Sequence, residues 1–324
     1  LTSVFEGKGL EVGSLLNNEK TIAGFISFKN RKDKFILFIM TLPFIIQIIL
    51  FNYLPLWGWT MAFVNYKPSV SILKSKFIGL ENFQQIFTGG STFFIVLKNT
   101  LIFNGLNIAA TIVPVILAIF LTEIWNSNVR KVVQTVISLP YYISWIIVYG
   151  IFFLFMSNEG IINNSLANVG LIENPINFLQ NEETVYLVQT LITVWKSAGW
   201  SAIIYISAIS ALDQEVYEAG RVDGANKFQR MWYITIPGII PTFIVLLILN
   251  VGNILSAFDQ YFMFYNPMTS EHIEVIDTYA YRKGLGVGDY SYATAVGIFK
   301  TGISVLLLTI CNKIAKIYTG KSVI

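Results

Sequence analysis

Past a polar stretch of 34 residues, the chain alternates between long apolar runs and shorter polar connections. Six runs reach the roughly 20 residues that a helix needs to cross a hydrocarbon core. They fall at about 35–56, 101–122, 132–156, 185–211, 238–257 and 291–312. Their apolar positions are near-continuous. Strands of a membrane barrel would instead alternate over segments of about ten residues. Helices satisfy their own backbone hydrogen bonds in lipid, so six spanning helices are predicted. The predicted fold is all-α, a polytopic helix bundle, with residues 1–34 a cytoplasmic N-terminal tail and 35–324 the transmembrane domain. The first run, from Phe35, is too long for the core of a secretory signal, and no small-residue cleavage site follows it.

Composition agrees. Hydrophobic residues make up 54% of the chain and charged residues 13%, where a soluble domain carries about 25% charged. A soluble enzyme, a disordered chain and a disulfide scaffold are excluded. Cys311 is the single cysteine and His272 the single histidine. No internal disulfide can form, and His272 beside Glu271 and Glu274 has too few ligands for a metal site.

A net charge of +3 says little by its sum. The placement of lysine and arginine says more, because basic residues concentrate in cytoplasmic loops. With the N-terminus inside, the inner segments hold fourteen of them: Lys8, Lys20, Lys29, Arg31, Lys32, Lys34, Arg130, Lys131, Arg221, Lys227, Arg230, Lys313, Lys316 and Lys321. The outer loops hold five: Lys67, Lys74, Lys76, Arg282 and Lys283. The outer segment 157–183 carries Glu159, Glu173, Glu182 and Glu183 and no base. The expectation is a multi-pass membrane protein with both termini cytoplasmic.

The connection 211–241 is the longest inner loop between spans and is not simply hydrophilic. Asp213 is placed to cap a short helix, with Glu215 near its positive end. Gly224 stands where that helix should stop, since glycine tolerates the left-handed conformation of a closing residue. Asn226 is placed to start a second helix, on which Phe228, Met231 and Trp232 recur at helical spacing. Pro237 and Pro241 mark entry to the fifth span. Two readings stand side by side: an interfacial helix pair lying on lipid, or a helix presented to a soluble partner.

The run Glu218-Ala219-Gly220, then Asp223-Gly224-Ala225, then Ile234-x-Ile236-Pro237 closely resembles the EAA motif of ABC-importer permeases. The spacing matches throughout, with Gly220 for the usual Ala and Ile236 for Leu. Outside the loop, Phe51-Asn52-Tyr53-Leu54-Pro55, Phe77-Ile78-Gly79-Leu80-Glu81-Asn82-Phe83, Leu139-Pro140-Tyr141-Tyr142-Ile143-Ser144-Trp145 and Val275-Ile276-Asp277-Thr278-Tyr279 are similar to the polysaccharide and oligosaccharide branch of that family, which includes lipoprotein-associated and alginate-type permeases. The resemblance spans about residues 35–320. It implies an importer subunit without catalytic residues or a bound cofactor. It also implies partners: a second related permease, two ATPase subunits that use ATP and Mg, and an external solute-binding protein that delivers an oligosaccharide. Carried over residue by residue, Glu218, Ala219, Asp223 and Gly224 would couple the subunit to its ATPase.

Polar and aromatic residues within the runs are candidates for the substrate path. Lys196, in the fourth run, and Lys300, in the sixth, would each cost about 2.5–3.5 kcal/mol if left bare in lipid. Each therefore contacts substrate in a water-filled cavity or has a partner inside the bundle, as an ion pair or bonded to carbonyls. Lys300 can also snorkel. Tyr141, Tyr142, Trp145, Trp195 and Trp200 are candidates to stack on sugar rings, or to anchor and pack helices. Asn250, Asn253 and Gln260 are candidates to hydrogen-bond the sugar. Pro140 reads as a kink. Gly284-Leu285-Gly286-Val287-Gly288 reads as a flexible turn, and the phosphate-loop-like stretch 315–322 lacks the required strand–helix context. Alternatives are a permease of the same architecture for an amino acid, peptide or anion, an ion-gradient-driven transporter, and a membrane-embedded enzyme, which would need polar catalytic pairs within the spans.

Overall fold

The computed structural model describes residues 31–253 and 255–319, so most of the 1–34 tail, with Lys8, Lys20 and Lys29, lies outside the described residues, as does Lys321. The chain divides at Gly58 into two compact units. In the first, helix α1 (Arg31–Ile48) passes through Pro43 and loosens into a π-helical turn at Ile49–Tyr53. A tighter 3-10 segment, Leu54–Phe63, follows. Pro55 has no N–H to give to the previous turn, which accounts for the change of helical pitch. The exposed apolar side chains from Phe35 to Phe51 suit a helix surrounded by lipid.

The second unit holds five further spans. A short hairpin, β1 (Val64–Asn65) against β2 (Lys76–Phe77), leads into α2 (Glu81–Thr88). Asn82 is buried and donates from Nδ2 to the Ala62 carbonyl at 2.8 Å, which fixes this connection. Next come α3 (Thr92–Ala109) and α4 (Ile112–Thr122), which together form one span, then α5 (Ser127–Ser138), α6 (Trp145–Met156) and α7 (Ile161–Asn168). The long α8 (Val185–Ser210) follows, then α9 (Gln214–Val222) and α10 (Lys227–Arg230). A π-helical turn, Met231–Thr235, joins α10 to α11 (Ile236–Gly252). The chain ends with α12 (Asp259–Met263), α13 (Ser270–Ile273), α14 (Ile276–Tyr281) and α15 (Tyr290–Thr319).

All six predicted spans are present, at Lys34–Phe63, Thr92–Thr122, Trp145–Asn168, Val185–Ser210, Lys227–Gly252 and Tyr290–Ile317. Three are placed differently from the sequence expectation, the fifth running over Lys227–Gly252 and not 238–257. The second begins at Thr92, not near 101, because Lys98 and Asn99 sit within helix. Asn99 satisfies its amide by donating to the carbonyls of Glu271 and Glu274 and accepting from the Tyr186 hydroxyl. The third does not run over 132–156. The helix ends at Ser138, a 3-10 turn occupies Leu139–Tyr142, and a new helix starts at Trp145. Pro140 thus marks a break and not only a kink. The glycine stretch before α15 is ordered differently too, since Arg282–Gly286 forms a π-helical turn that continues α14.

Three apolar clusters hold the second unit. Near one end, Ile86, Phe93, Val96, Tyr279, Tyr292 and Val296 pack together. Phe103, Val148, Val188, Ile192 and Tyr261 form the second. Val115, Ala118, Ala202, Tyr205 and Ile239 form the third, near the 211–241 loop. Beside that third cluster, Gly199 on α8 meets the backbone of α5. A Cβ built there would stand 1.9 Å from the Ile137 carbonyl oxygen and 2.9 Å from the Ser138 nitrogen. No rotamer relieves such a clash, because Cβ has none.

Gly199→Ala is therefore expected to force α5 away from α8 and to destabilise the protein by about 1–3 kcal/mol, the usual range for overpacking. Gly297→Ala on α15, where a Cβ meets nothing within 4 Å, should be neutral or slightly stabilising. Thermal unfolding of both variants in one detergent checks the contrast.

Candidate functional site

Two features combine polar chemistry with a defined geometry: the 211–241 loop and a cavity between α3, α8 and α11. In the loop, the Asp213 carboxylate accepts the Glu215 N–H at 2.9 Å and caps α9. At the other end Gly224 has φ +79°. The Ala225 N–H reaches the Gly220 carbonyl at 2.9 Å and the Gly224 N–H the Arg221 carbonyl at 3.1 Å. This is a Schellman closure, with glycine at the one position where a Cβ is penalised. Asn226 and Gln229 form a reciprocal capping box at the start of α10. All three sequence-derived landmarks of the loop hold.

One expectation needs correction. The second helix is not a separate short piece, because α10 runs through Met231–Thr235 into α11 as a 26-residue helical segment, Lys227–Gly252. Pro237 sits just past the π-helical turn, inside this continuous segment, where its missing N–H takes one hydrogen bond from the preceding turn.

Packing sorts the faces of α9. The Tyr217 hydroxyl meets Thr235 Oγ1 at 2.7 Å, and a Cβ at Gly220 would lie 3.2 Å from the Ile234 side chain, so that side is tied to the entry of α11. Glu218, Ala219, Asp223 and Gly224 are all exposed. Val222 beside them is 88% exposed, as is most of Phe228. Lys227 pairs with Glu123 at 3.2 Å, which places the end of α4 at the same end of the unit as the loop.

The second feature is a cavity of about 280 Å³. Asn104 and Asn107 enter it from α3, Thr193, Ser197 and Ser201 from α8, and Asn250 and Asn253 from α11 and its end. The α8 hydroxyls recur every fourth residue and so share one face. Asn104 and Asn107, like Asn250 and Asn253, are three apart. Among the described residues no charged side chain lines the cavity. Its amides and hydroxyls offer donors and acceptors together, which suits a hydroxyl-bearing guest or water.

The comparisons follow this geometry. Residues 110–317 match the family model described as binding-protein-dependent transport system inner membrane component. This chain belongs to that family. It is 41% identical over 283 residues, covering 86% of this chain and 87% of the relative, to the polygalacturonan/rhamnogalacturonan transport system permease protein YteP of Bacillus subtilis (strain 168). It is also similar in structure to a chain of a bacterial ABC transporter involved in the import of the acidic polysaccharide alginate. There the TM-score is 0.82 and the identity 35%, covering 90% of this chain and 99% of that one. The same transporter in complex with an alginate pentasaccharide-bound periplasmic protein gives a TM-score of 0.82 at 34% identity, covering 91% and 99%.

Among the permease's substrate-path candidates, Asn250 and Asn253 line the cavity. Gln260 does not. It is buried, its Nε2 donates to the Gln189 carbonyl and side chain, and its Oε1 accepts from Thr193. It holds the chain after α11 against α8. Lys196, in the middle of α8, is buried too and gives all three Nζ hydrogens to the carbonyls of Pro140, Tyr141 and Ile143. It caps the break in the third span. Tyr141 stacks on Trp200 at 4.9 Å, and Tyr142 meets Trp200 edge-on. Trp145 lies 5.3 Å from the Lys196 ammonium, and Trp195 packs edge-on against Phe152. Tyr141, Tyr142, Trp145 and Trp200 surround the same break, and none of the five aromatics lines the cavity.

Lys300 pairs with Asp277 at 2.5 Å, while the other Asp277 oxygen accepts the Ala257 N–H at 2.8 Å. With Ser256 and Ser304, Lys300 also lines an open pocket of about 290 Å³, and Ser256 borders both this pocket and the first cavity. Nearby, Glu274 holds Arg282 through two hydrogen bonds of 2.7 and 2.8 Å, which raises the guanidinium pKa above its ordinary value. Sequence reasoning passed over Asn104, Asn107, Thr193, Ser197, Ser201 and Asp277. The i, i+3 and i, i+4 spacing of polar residues on otherwise apolar helices was the available signal for the first five.

Lys300→Met leaves Asp277 half-buried without its partner, a loss of up to about 3 kcal/mol, reduced by the residual exposure of the pair. The double variant Lys300→Met, Asp277→Asn is expected to regain most of it. Thermal midpoints of the two single variants and the double variant measure the coupling.

Proposed function

We propose that this chain is one of two membrane-spanning subunits of an ATP-driven importer and that its cargo is an oligosaccharide. The observation that carries this reading is the loop. A helix of two and a half turns is closed at both ends, tied on one side to a spanning helix, and left exposed on the other. The exposed side carries Glu215, Glu218, Arg221 and Asp223. Charges of both signs favour a soluble protein surface over a lipid one. Rigid caps allow the helix to pass force without fraying, and the Tyr217–Thr235 contact sends that force into α11.

In this reading α9 docks on a cytoplasmic ATPase, which supplies the ATP and Mg chemistry, and both termini share the loop's side of the membrane. The permease performs no catalysis. The second membrane subunit is a related permease, and a solute-binding protein delivers cargo on the opposite side. The named cargoes of the relatives support a saccharide over an amino acid, peptide or anion. So does the neutral, amide- and hydroxyl-lined cavity, since sugar hydroxyls need donors and acceptors together. An ion-gradient-driven transporter would leave the exposed, doubly capped helix without a task.

Mild extraction of the tagged protein from its native membrane is expected to bring along a soluble ATPase and a second membrane permease. Glu218→Lys should lower ATPase recovery by about tenfold or more, the equivalent of 1.4 kcal/mol at the contact, without changing the thermal midpoint. Gly224→Asp, strained by the positive φ, should do the same while retaining the second permease. If the protein emerges alone or as a homodimer, the importer reading is wrong.

A further inference from the structure

At the end of the second unit opposite the loop lies another cavity, of about 300 Å³. The end of α6, the 157–180 segment and residues 264–266 enclose it. These are the far ends of spans three, four and five, so the cavity opens on the face away from α9. We propose that it binds a single neutral pyranose unit of the cargo at the entrance to the translocation path. This deepens the importer reading and rests on it for the direction of transport.

The walls suit a sugar ring. Phe264 is buried and stands edge-on to Tyr149 at 5.2 Å. Tyr149, Phe153 and Tyr265 keep 37%, 48% and 43% of their surface exposed, so aromatic surface is left open on a cavity rim. The negative face of an aromatic ring attracts the weakly positive C–H groups on one side of a pyranose. The volume is at the low end of the about 300–1,000 Å³ of small-molecule sites, which admits one ring and not an oligomer.

The polar groups converge in the mixture that hydroxyls need. Asn177 Nδ2 donates to Gln180 Oε1 at 2.6 Å. That bond leaves Asn177 Oδ1 as an acceptor and Gln180 Nε2 as a donor, with no other partner among the described residues. Asn266 Oδ1 is taken by the Met268 N–H at 2.9 Å, which leaves the Asn266 Nδ2 as a second donor. Such prearranged planar amides lose little freedom on binding.

Charge sets the class of sugar. Among the described residues, Glu159 is the single charged one lining the cavity, and no lysine or arginine lines it. A uronate would bring its carboxylate against Glu159 with no cation to offset the repulsion. A neutral hexose or deoxyhexose instead offers hydroxyls for which the Glu159 carboxylate is a strong acceptor.

The test uses the complete purified complex in nanodiscs, with equilibrium binding of neutral galactose or rhamnose oligomers compared with galacturonate oligomers. Neutral oligomers are expected to bind more tightly. Tyr265→Ala and Gln180→Ala should each weaken that binding by about fivefold or more, the scale of one lost ring or hydrogen-bond contact. Glu159→Gln should raise galacturonate binding and narrow the preference. Gly297→Ala, which lines none of the cavities and where a Cβ meets nothing within 4 Å, should leave this binding unchanged. If neutral oligomers do not bind, if binding ignores Tyr265→Ala and Gln180→Ala, or if galacturonate binds better and Glu159→Gln has no effect, the proposal is overturned. Those results leave the importer reading intact as long as the ATPase and second permease copurify, whereas loss of copurification removes the importer reading whatever the sugar data show.

Discussion

A break in a membrane span exposes carbonyls that lipid cannot satisfy, and this protein meets that constraint with one buried lysine. At the turn Leu139–Tyr142 the carbonyls of Tyr141 and Ile143 lack helical partners and that of Pro140 keeps only the Ile143 N–H, and Lys196 donates to all three. The charge that would be prohibitive in hydrocarbon is what makes the break tolerable. One turn along α8, Gly199 lets the α5 backbone approach to contact, and Trp200 stacks against Tyr141. Three neighbouring residues of α8 thus fix where the broken span lies. The adjacent stripe of the same helix, Thr193, Ser197 and Ser201, lines the polar cavity.

The same division explains what the sequence disclosed and what it withheld. Apolar length was enough for six spans, because lipid acts on every residue of a run alike. The caps at Asp213, Gly224 and Asn226 were legible because they are local, each depending on residues within one turn. Pro140 was visible as an interruption, but a 132–156 run and a break within it have the same hydropathy. Only the partner 56 residues away shows that the chain stops being helical there. The onset of the second span was hidden for the opposite reason. Asn99 looks like a loop residue until its three hydrogen bonds to distant backbone and Tyr186 are seen.

Candidate residues divide along the same line. Residue type marked Lys196, Lys300, Gln260, Asn250 and Asn253 equally, as polar groups in apolar surroundings. Spatial partners separate them. Lys196 and Gln260 are consumed by the protein's own carbonyls and amides, Lys300 is shared between Asp277 and a pocket, and the two asparagines face open volume. A polar residue inside a span therefore signals a satisfied need, and which need depends on neighbours that no spacing rule supplies.

The loop and the cavity are connected by one continuous element. From Lys227 to Gly252 the chain stays helical through the π-helical turn, and a helix of 26 residues spans about 39 Å at 1.5 Å per residue. Its first third is tied to α9 through Tyr217 and Thr235. Its last turn carries Asn250, with Asn253 immediately beyond it. A displacement of α9 of the size expected for a docked partner closing, an ångström or two at an interface, therefore cannot be absorbed in a flexible linker before α11. It can bend the helix at the π-helical turn, where the ladder is already wide, or move both asparagines relative to Thr193 and Ser197 on α8. The Gly238 contact with Leu212, where a Cβ would stand 2.6 Å from a leucine methyl, resists bending just past the turn. Motion imposed at the loop is thus directed to the wall of the cavity.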